Sequence, residues 1–206
     1  MAVISNGTTL IDNGILDAAI PTGKMTLIKT LTASSSATLS FVDGADSVVL
    51  DDTYDEYVFK FINIHPSGTA DVFSVNFRDG GSDYDAVKTS TSFRAYHTES
   101  DGAASLDYLT GYDLAQATSI QWLTGSLGND NDQCAVGTLH LFNPSSTTFV
   151  KHFIYRGVQS FNDDGELDFF VAGYCNTTAA IDGVQFTMSA GTMDSGKIKL
   201  YGIKDS

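Results

Sequence analysis

The 206-residue chain carries 11 Lys and Arg against 25 Asp and Glu, a formal charge of −14, which opposes a phosphate backbone and excludes nucleic acid as a partner. Only 17% of residues are charged while 42% are hydrophobic, so the chain can bury roughly 70% of its extended surface and does not read as a disordered acidic tail. No apolar run approaches the roughly 18 residues of a membrane span, and Met1–Gly7 lacks the basic and apolar segments of a secretion signal.

Residues 1–23 are polar, rich in Gly and Asn, and close on Pro21-Thr-Gly. They read as an N-terminal arm that orders on a partner, ahead of one β-sandwich domain over 24–206. Helical spacing is confined to one turn at Ile15–Ile20, stopped by Pro21, and another at Asp113–Ala117. Strand signals follow at Met25–Thr32 and Ala37–Val42. The longest candidate is Tyr54–His65, with Tyr57, Phe59 and Phe61 on one face and Val58, Ile62 and Ile64 on the other. A strand apolar on both faces lies centrally in its sheet or under an oligomer contact.

Val72–Arg78 and Tyr84–Lys88, joined by Asp79-Gly-Gly-Ser, predict a hairpin. Further strands are predicted at Ser92–Thr98, Ser119–Thr124, Cys134–Asn143, Thr148–Arg156 and Leu167–Cys175. In Gly183–Ser189, Val184, Phe186 and Met188 alternate with Gln185 and Thr187, a one-sided strand. After an Asp-Ser-Gly turn, the last strand alternates Lys197, Ile198, Lys199, Leu200 and Tyr201 and must complete a sheet formed earlier. About ten to twelve strands with closely spaced turns predict an all-β, single-domain, jelly-roll-like β-sandwich.

Residue types that carry chemistry are present without the spacing chemistry needs. His140 and His152 fall on neighbouring predicted strands, but no His-x-His or Cys-x-x-Cys supplies further zinc ligands. Acidic turns such as Gly128–Asp132 offer oxygens to Ca²⁺ without the twelve-residue helix-flanked loop, so they read as solvated turns. Cys134 and Cys175 read as buried, reduced thiols, with no helix N-terminus or cationic neighbour to activate either. There is no Gly-x-Ser-x-Gly elbow, and Asp/Glu pairs carry no weight among 25 acids. No catalytic residue, cofactor or metal is expected. Trp122 is placed either in the core, at a subunit contact or on a sugar-binding platform.

Several strings are less generic. Tyr54–Ser67 (YDEYVFKFINIHPS), Tyr112–Gln116 (YDLAQ), Asn129–Gln133 (NDNDQ), Asn143–Phe153, Val171–Tyr174 (VAGY) and Val184–Gly202 resemble small virion-associated proteins of tailed phages of marine bacteria. The likeness runs from about residue 38 to the end of the sequence. It implies a virion structural role, on the capsid surface or in the tail and its fibres, with no catalytic residue to carry over. The expected partners are the chain itself, as a homo-oligomer and most readily a trimer, with the major capsid protein or the tail and portal proteins. A host-surface glycan is the alternative partner, neither nucleic acid nor membrane insertion is expected, and the location implied is the virion, assembled in the host cytoplasm.

Overall fold

A computed structural model of the chain describes residues 25–204 and, before them, the short strands β1 (Val3–Ser5), β2 (Thr8–Asp12) and β3 (Ile15–Leu16). These three form an antiparallel sheet of their own in the order β1-β2-β3. Ile15 and Leu16, expected in a helical turn, are therefore extended; the remainder of that turn and of the 1–23 arm lies outside the described residues.

Twelve strands make the sandwich. In chain order they are β4 (Met25–Thr32), β5 (Thr38–Val42), β6 (Glu56–Pro66), β7 (Phe73–Arg78), β8 (Lys88–Thr98) and β9 (Ala104–Tyr108). They continue as β10 (Gln121–Trp122), β11 (Ala135–Phe142), β12 (Lys151–Phe161), β13 (Gly165–Cys175), β14 (Gly183–Met188) and β15 (Met193–Ile203). All pairings are antiparallel, and they build an eight-stranded sheet, β4-β15-β6-β11-β12-β13-β8-β9, and a four-stranded sheet, β10-β7-β14-β5.

The strand order defines the topology. With β8–β9 and β12–β13 set aside, the other eight strands form two four-stranded sheets, β4-β15-β6-β11 and β5-β14-β7-β10. Numbered one to eight along the chain, these are the orders 1-8-3-6 and 2-7-4-5, the double Greek key of a jelly roll. The two pairs set aside extend one sheet beyond β11 and leave the other short. The last strand, β15, sits between β4 and β6, so it does complete a sheet formed earlier.

Phe186 is the centre of the core. Its ring stacks on Phe73 at 5.7 Å and meets Phe59 and Phe61 edge-on at 5.4 and 5.1 Å. The alternation on β14 placed it there, since Val184, Phe186 and Met188 are all buried. On β12 the same period buries Phe153 and Tyr155 and exposes His152, Ile154 and Arg156. Gly137 and Gly157 face each other across β11 and β12, and the Tyr155 ring fills the trench they leave. A Cβ on Gly137 would stand 2.9 Å from Tyr155 Cε2, and one on Gly157 would collide with the phenol oxygen. Gly157→Ala is therefore expected to cost about 1–3 kcal/mol, measured as a lowered urea midpoint at unchanged m-value.

Three expectations are corrected and one strand is added. Val72–Arg78 and Tyr84–Lys88 are not a hairpin, because β7 and β8 belong to different sheets. The Asp79–Ser82 turn, with Gly80 and Gly81 at φ 109° and 72°, instead sends the chain across the sandwich. Ile64 points inward with Tyr57, Phe59 and Phe61. Phe61 pairs with Gly137 and Ile64 with Ala135, so Ile62 and Asn63 oppose Val136 alone, and this bulge reverses the alternation. Asp113–Ala117 is not a helical turn. Its backbone runs beside the start of β8, with Ser90 N–H donating to Leu114 O (2.9 Å) and Lys88 N–H to Ala117 O (2.8 Å). Strand β9 was not anticipated, since Ala104–Tyr108 offers only Leu106 and Tyr108 as apolar alternates.

Candidate functional site

The residues singled out for chemistry are dispersed. His140 and His152 share the outer face of the eight-stranded sheet, but register sets Ile154 opposite His140. His140 Nδ1 pairs with Glu56 Oε1, and His152 packs on Tyr174 at 6.0 Å between ring centroids. Asp130 and Asp132 of the acidic turn line a cleft of about 340 Å³ with Glu99 and Asp164. Among the described residues no three metal-binding side chains converge. Trp122 is half-buried against Tyr112, 4.7 Å between centroids.

Both cysteines are free, and Cys134 is only half-buried rather than buried as expected. Cys175 departs further from the sequence reading. Register places Lys151, Cys175 and Lys88 side by side across β12, β13 and β8, so this thiol has two cationic neighbours. Burial nevertheless dominates and pushes it up to about 12, against the pull of both lysines; it remains a protonated, inert thiol. Both ammonium groups are fully buried. Lys88 Nζ donates to Asn76 Oδ1 and to the carbonyls of Ala86 (2.7 Å) and Thr118 (3.4 Å). Desolvation lowers it to about 8, while Cys175, Asp85 and Asp79 act in the opposite sense. Lys151 donates to the carbonyls of Thr177 (3.2 Å) and Ala179 and is likewise lowered by burial. These shifted groups are sealed in the core, where no substrate reaches them.

The outer face of the eight-stranded sheet is of a different character. The four-stranded sheet packs on the opposite side, so this face ought to be polar. Instead, among the described residues, nine of the eleven large hydrophobic side chains that stand exposed lie on it. Phe93, Leu106 and Tyr108 occupy β8 and β9, Ile154, Val158 and Val136 the middle strands, and Ile62, Leu27 and Met25 the far half. Leu106 is 75% and Ile154 50% exposed. Register joins them in rows, one running Thr91, Ala172, Ile154, His140, Val58, Tyr201, Leu27 across seven strands. Monomeric proteins rarely expose a contiguous apolar patch above a few hundred Å². Eight strands at ~4.8 Å spacing and four side-chain rows at ~7 Å give a face of roughly 700–900 Å².

A second row holds the face's aromatic and charged groups: Tyr108, Phe93, Phe170, Arg156, Thr138, Lys60, Lys199 and Thr30. Phe93 and Phe170 stack at 4.6 Å with planes 5° apart, and the Arg156 guanidinium lies 4.9 Å from the Phe170 ring. Arg156 also forks onto Asp168, with Nη2–Oδ2 at 2.8 Å. An Arg seated on an aromatic among aliphatic side chains is the composition of a protein–protein contact.

Comparison with known protein families, characterised proteins and solved structures finds no match for this chain. The sequence signal for this face was the two-sided apolar strand at Tyr57–Ile64. The same signal stood at Phe153–Val158, where Ile154 and Val158 alternate with Phe153 and Tyr155 instead of with polar residues.

Proposed function

We propose that the chain is a structural protein of a phage virion, a capsid-surface decoration or cement subunit that acts by passive binding as a homo-oligomer. The observation that carries this reading is the apolar outer face of the eight-stranded sheet, an area suited to permanent coverage by protein. The virion setting rests on the resemblance of Tyr54–Ser67 and Val184–Gly202 to virion-associated phage proteins. The jelly-roll order adds a weaker support, since capsid and lectin domains both use it. Decoration ranks above a tail fibre because these 206 residues contain no shaft repeat or heptads. In this reading residues 1–23 attach the subunit to the major capsid protein or to a tail or portal protein, and the sandwich projects or bridges neighbouring subunits.

Electron cryomicroscopy of the intact particle tests it. The expected result is hundreds of copies at capsid symmetry axes, and none on particles made with a chain lacking residues 2–20, although that truncated domain melts cooperatively in isolation. Normal incorporation of the truncated chain would end the role given to the arm. Absence of the full chain from purified particles would end the virion reading.

The Tyr108–Phe93–Phe170 row favours a second reading, a glycan-binding receptor module, because sugar rings stack on exposed aromatics. The aliphatic remainder of the face weighs against it: Ile154, Val158, Leu27 and Met25 offer neither a π-face nor a hydrogen bond. Copies confined to the tail, with selective binding on a glycan array, would make it the leading reading.

A further inference from the structure

The outer face is charged in two halves. On β6 and β15 it carries Lys60, Lys197 and Lys199, with Lys60 directly opposite Lys199. Like charges facing each other across a strand pair are destabilising, and among the described residues no carboxylate pairs with any of the three. Lys60 has only the Tyr201 ring, 5.6 Å from Nζ. Three of the chain's 11 basic residues thus stand together on the surface of a strongly acidic protein. The other half ends in acids. Glu166 on β13 and Glu99 beyond β8 share a surface opening with His97 and Val158, and Asp101, Asp163 and Asp164 stand in the adjoining turns. His97 stands opposite Glu166 and lies 3.3 Å from Asp101; burial and Asp168 still raise the Glu166 carboxyl against the pull of that imidazole, so acids outnumber bases along this edge.

We propose that the occupant of this face is a second copy of the chain, seated so that the Lys60–Lys197–Lys199 half of one copy lies on the Glu99–Glu166 half of the other. Two observations select this occupant. The halves are complementary to each other, and the lysine half sets like charges face to face when alone. The whole face, roughly 700–900 Å², matches what one partner contributes to a stable interface, about 800 Å². A contact of this polarity fixes orientation as well as affinity, since a face laid on its own like half would set lysine on lysine. With the faces laid together both halves of each copy are engaged at once, so the contact is isologous about a two-fold axis and closes as a dimer.

This inference rests on the homo-oligomer part of the functional reading and is independent of the virion part. The test is sedimentation equilibrium of the full-length chain and three variants, each first shown to melt cooperatively. Wild type is expected to sediment as an oligomer at micromolar concentration. Lys60→Glu/Lys199→Glu and, separately, Glu99→Lys/Glu166→Lys are each expected to weaken association by about 100-fold. The chain carrying all four substitutions regains it, because both halves are reversed together. The proposal is overturned if the wild type is monomeric, if either double variant associates as well as wild type, or if the fourfold variant stays dissociated. A monomeric chain found on particles, or one that binds glycans, would end this proposal alone; an oligomer absent from particles would end only the virion reading.

Discussion

Phe186→Ala is expected to lower the free energy of unfolding by about 3–5 kcal/mol, the upper range for truncating a buried aromatic. Phe186 is fully buried at the middle of β14. Its ring touches side chains from both sheets: Phe41 and Phe73 on the four-stranded one, Phe59 and Phe61 on the eight-stranded one. Neighbours held on three different strands cannot collapse together into the space the ring leaves, so most of the cavity persists. Equilibrium urea unfolding measures the effect, and Phe149→Ala serves as the control, because Phe149 is 70% exposed and its truncation should stay within about 0.5 kcal/mol of wild type. A loss below about 1 kcal/mol for Phe186→Ala would show that the two sheets do not pack through this ring.

The second large effect is on alkaline pH dependence. Lys88 ordinarily holds its proton to 10.5 but releases it near 8 in the folded chain. Between those values the unfolded chain binds more protons than the folded one, so stability rises with pH. Below pH 8 both forms are protonated, and the full cost of burying the ammonium is carried. Lys151, lowered for the same reason, adds to the rise. Cys175 acts in the opposite sense. Its ordinary value of 9.0 is raised to about 12, so above pH 9 the unfolded chain loses its proton first and stability falls. The phenols of Tyr57 and Tyr155, raised chiefly by burial, deepen that fall above pH 10.

The expected profile is therefore a rise of about 1 kcal/mol from pH 8 to 9, followed by a decline. Urea unfolding at pH 7, 8, 9 and 10.5 measures it, and in Lys88→Met most of the rise should be gone. A flat wild-type profile between pH 8 and 9, or an undiminished rise in Lys88→Met, would show that Lys88 is not charged against a desolvation cost.

How much of this was legible beforehand differs by level. The long strands were, since each needs only alternation and a bounding turn: Met25–Thr32 was placed to the residue, and the inward set Val184, Phe186, Met188 was read correctly. Partners were not. Val72–Arg78 and Tyr84–Lys88 look like a hairpin because a Gly-Gly turn is compatible with pairing or with crossing between sheets. Only the competition of β14 and β10 for the two edges of β7 selects the crossing. The inward turn of Ile64 depends on a bulge, which exists only when two strands are laid side by side.

The candidate site shows the same division more sharply. Apolar residues on both faces of Tyr57–Ile64 were visible and were attributed to a central strand or an oligomer contact; the structure sets β6 between β15 and β11, and the oligomer contact belongs to the proposal above. The two lysines beside Cys175 are 87 and 24 residues from it in sequence, and no local pattern links them. The alternating lysines on β15 were visible as well, but Lys199 meets Lys60 only through register. By itself the sequence determined the class of secondary structure and the inward-facing residues of β14, because these follow from local period. Tertiary structure alone decided the jelly-roll order, the joining of scattered apolar residues into one face and that face's division into basic and acidic halves, because each is set by which strands become neighbours.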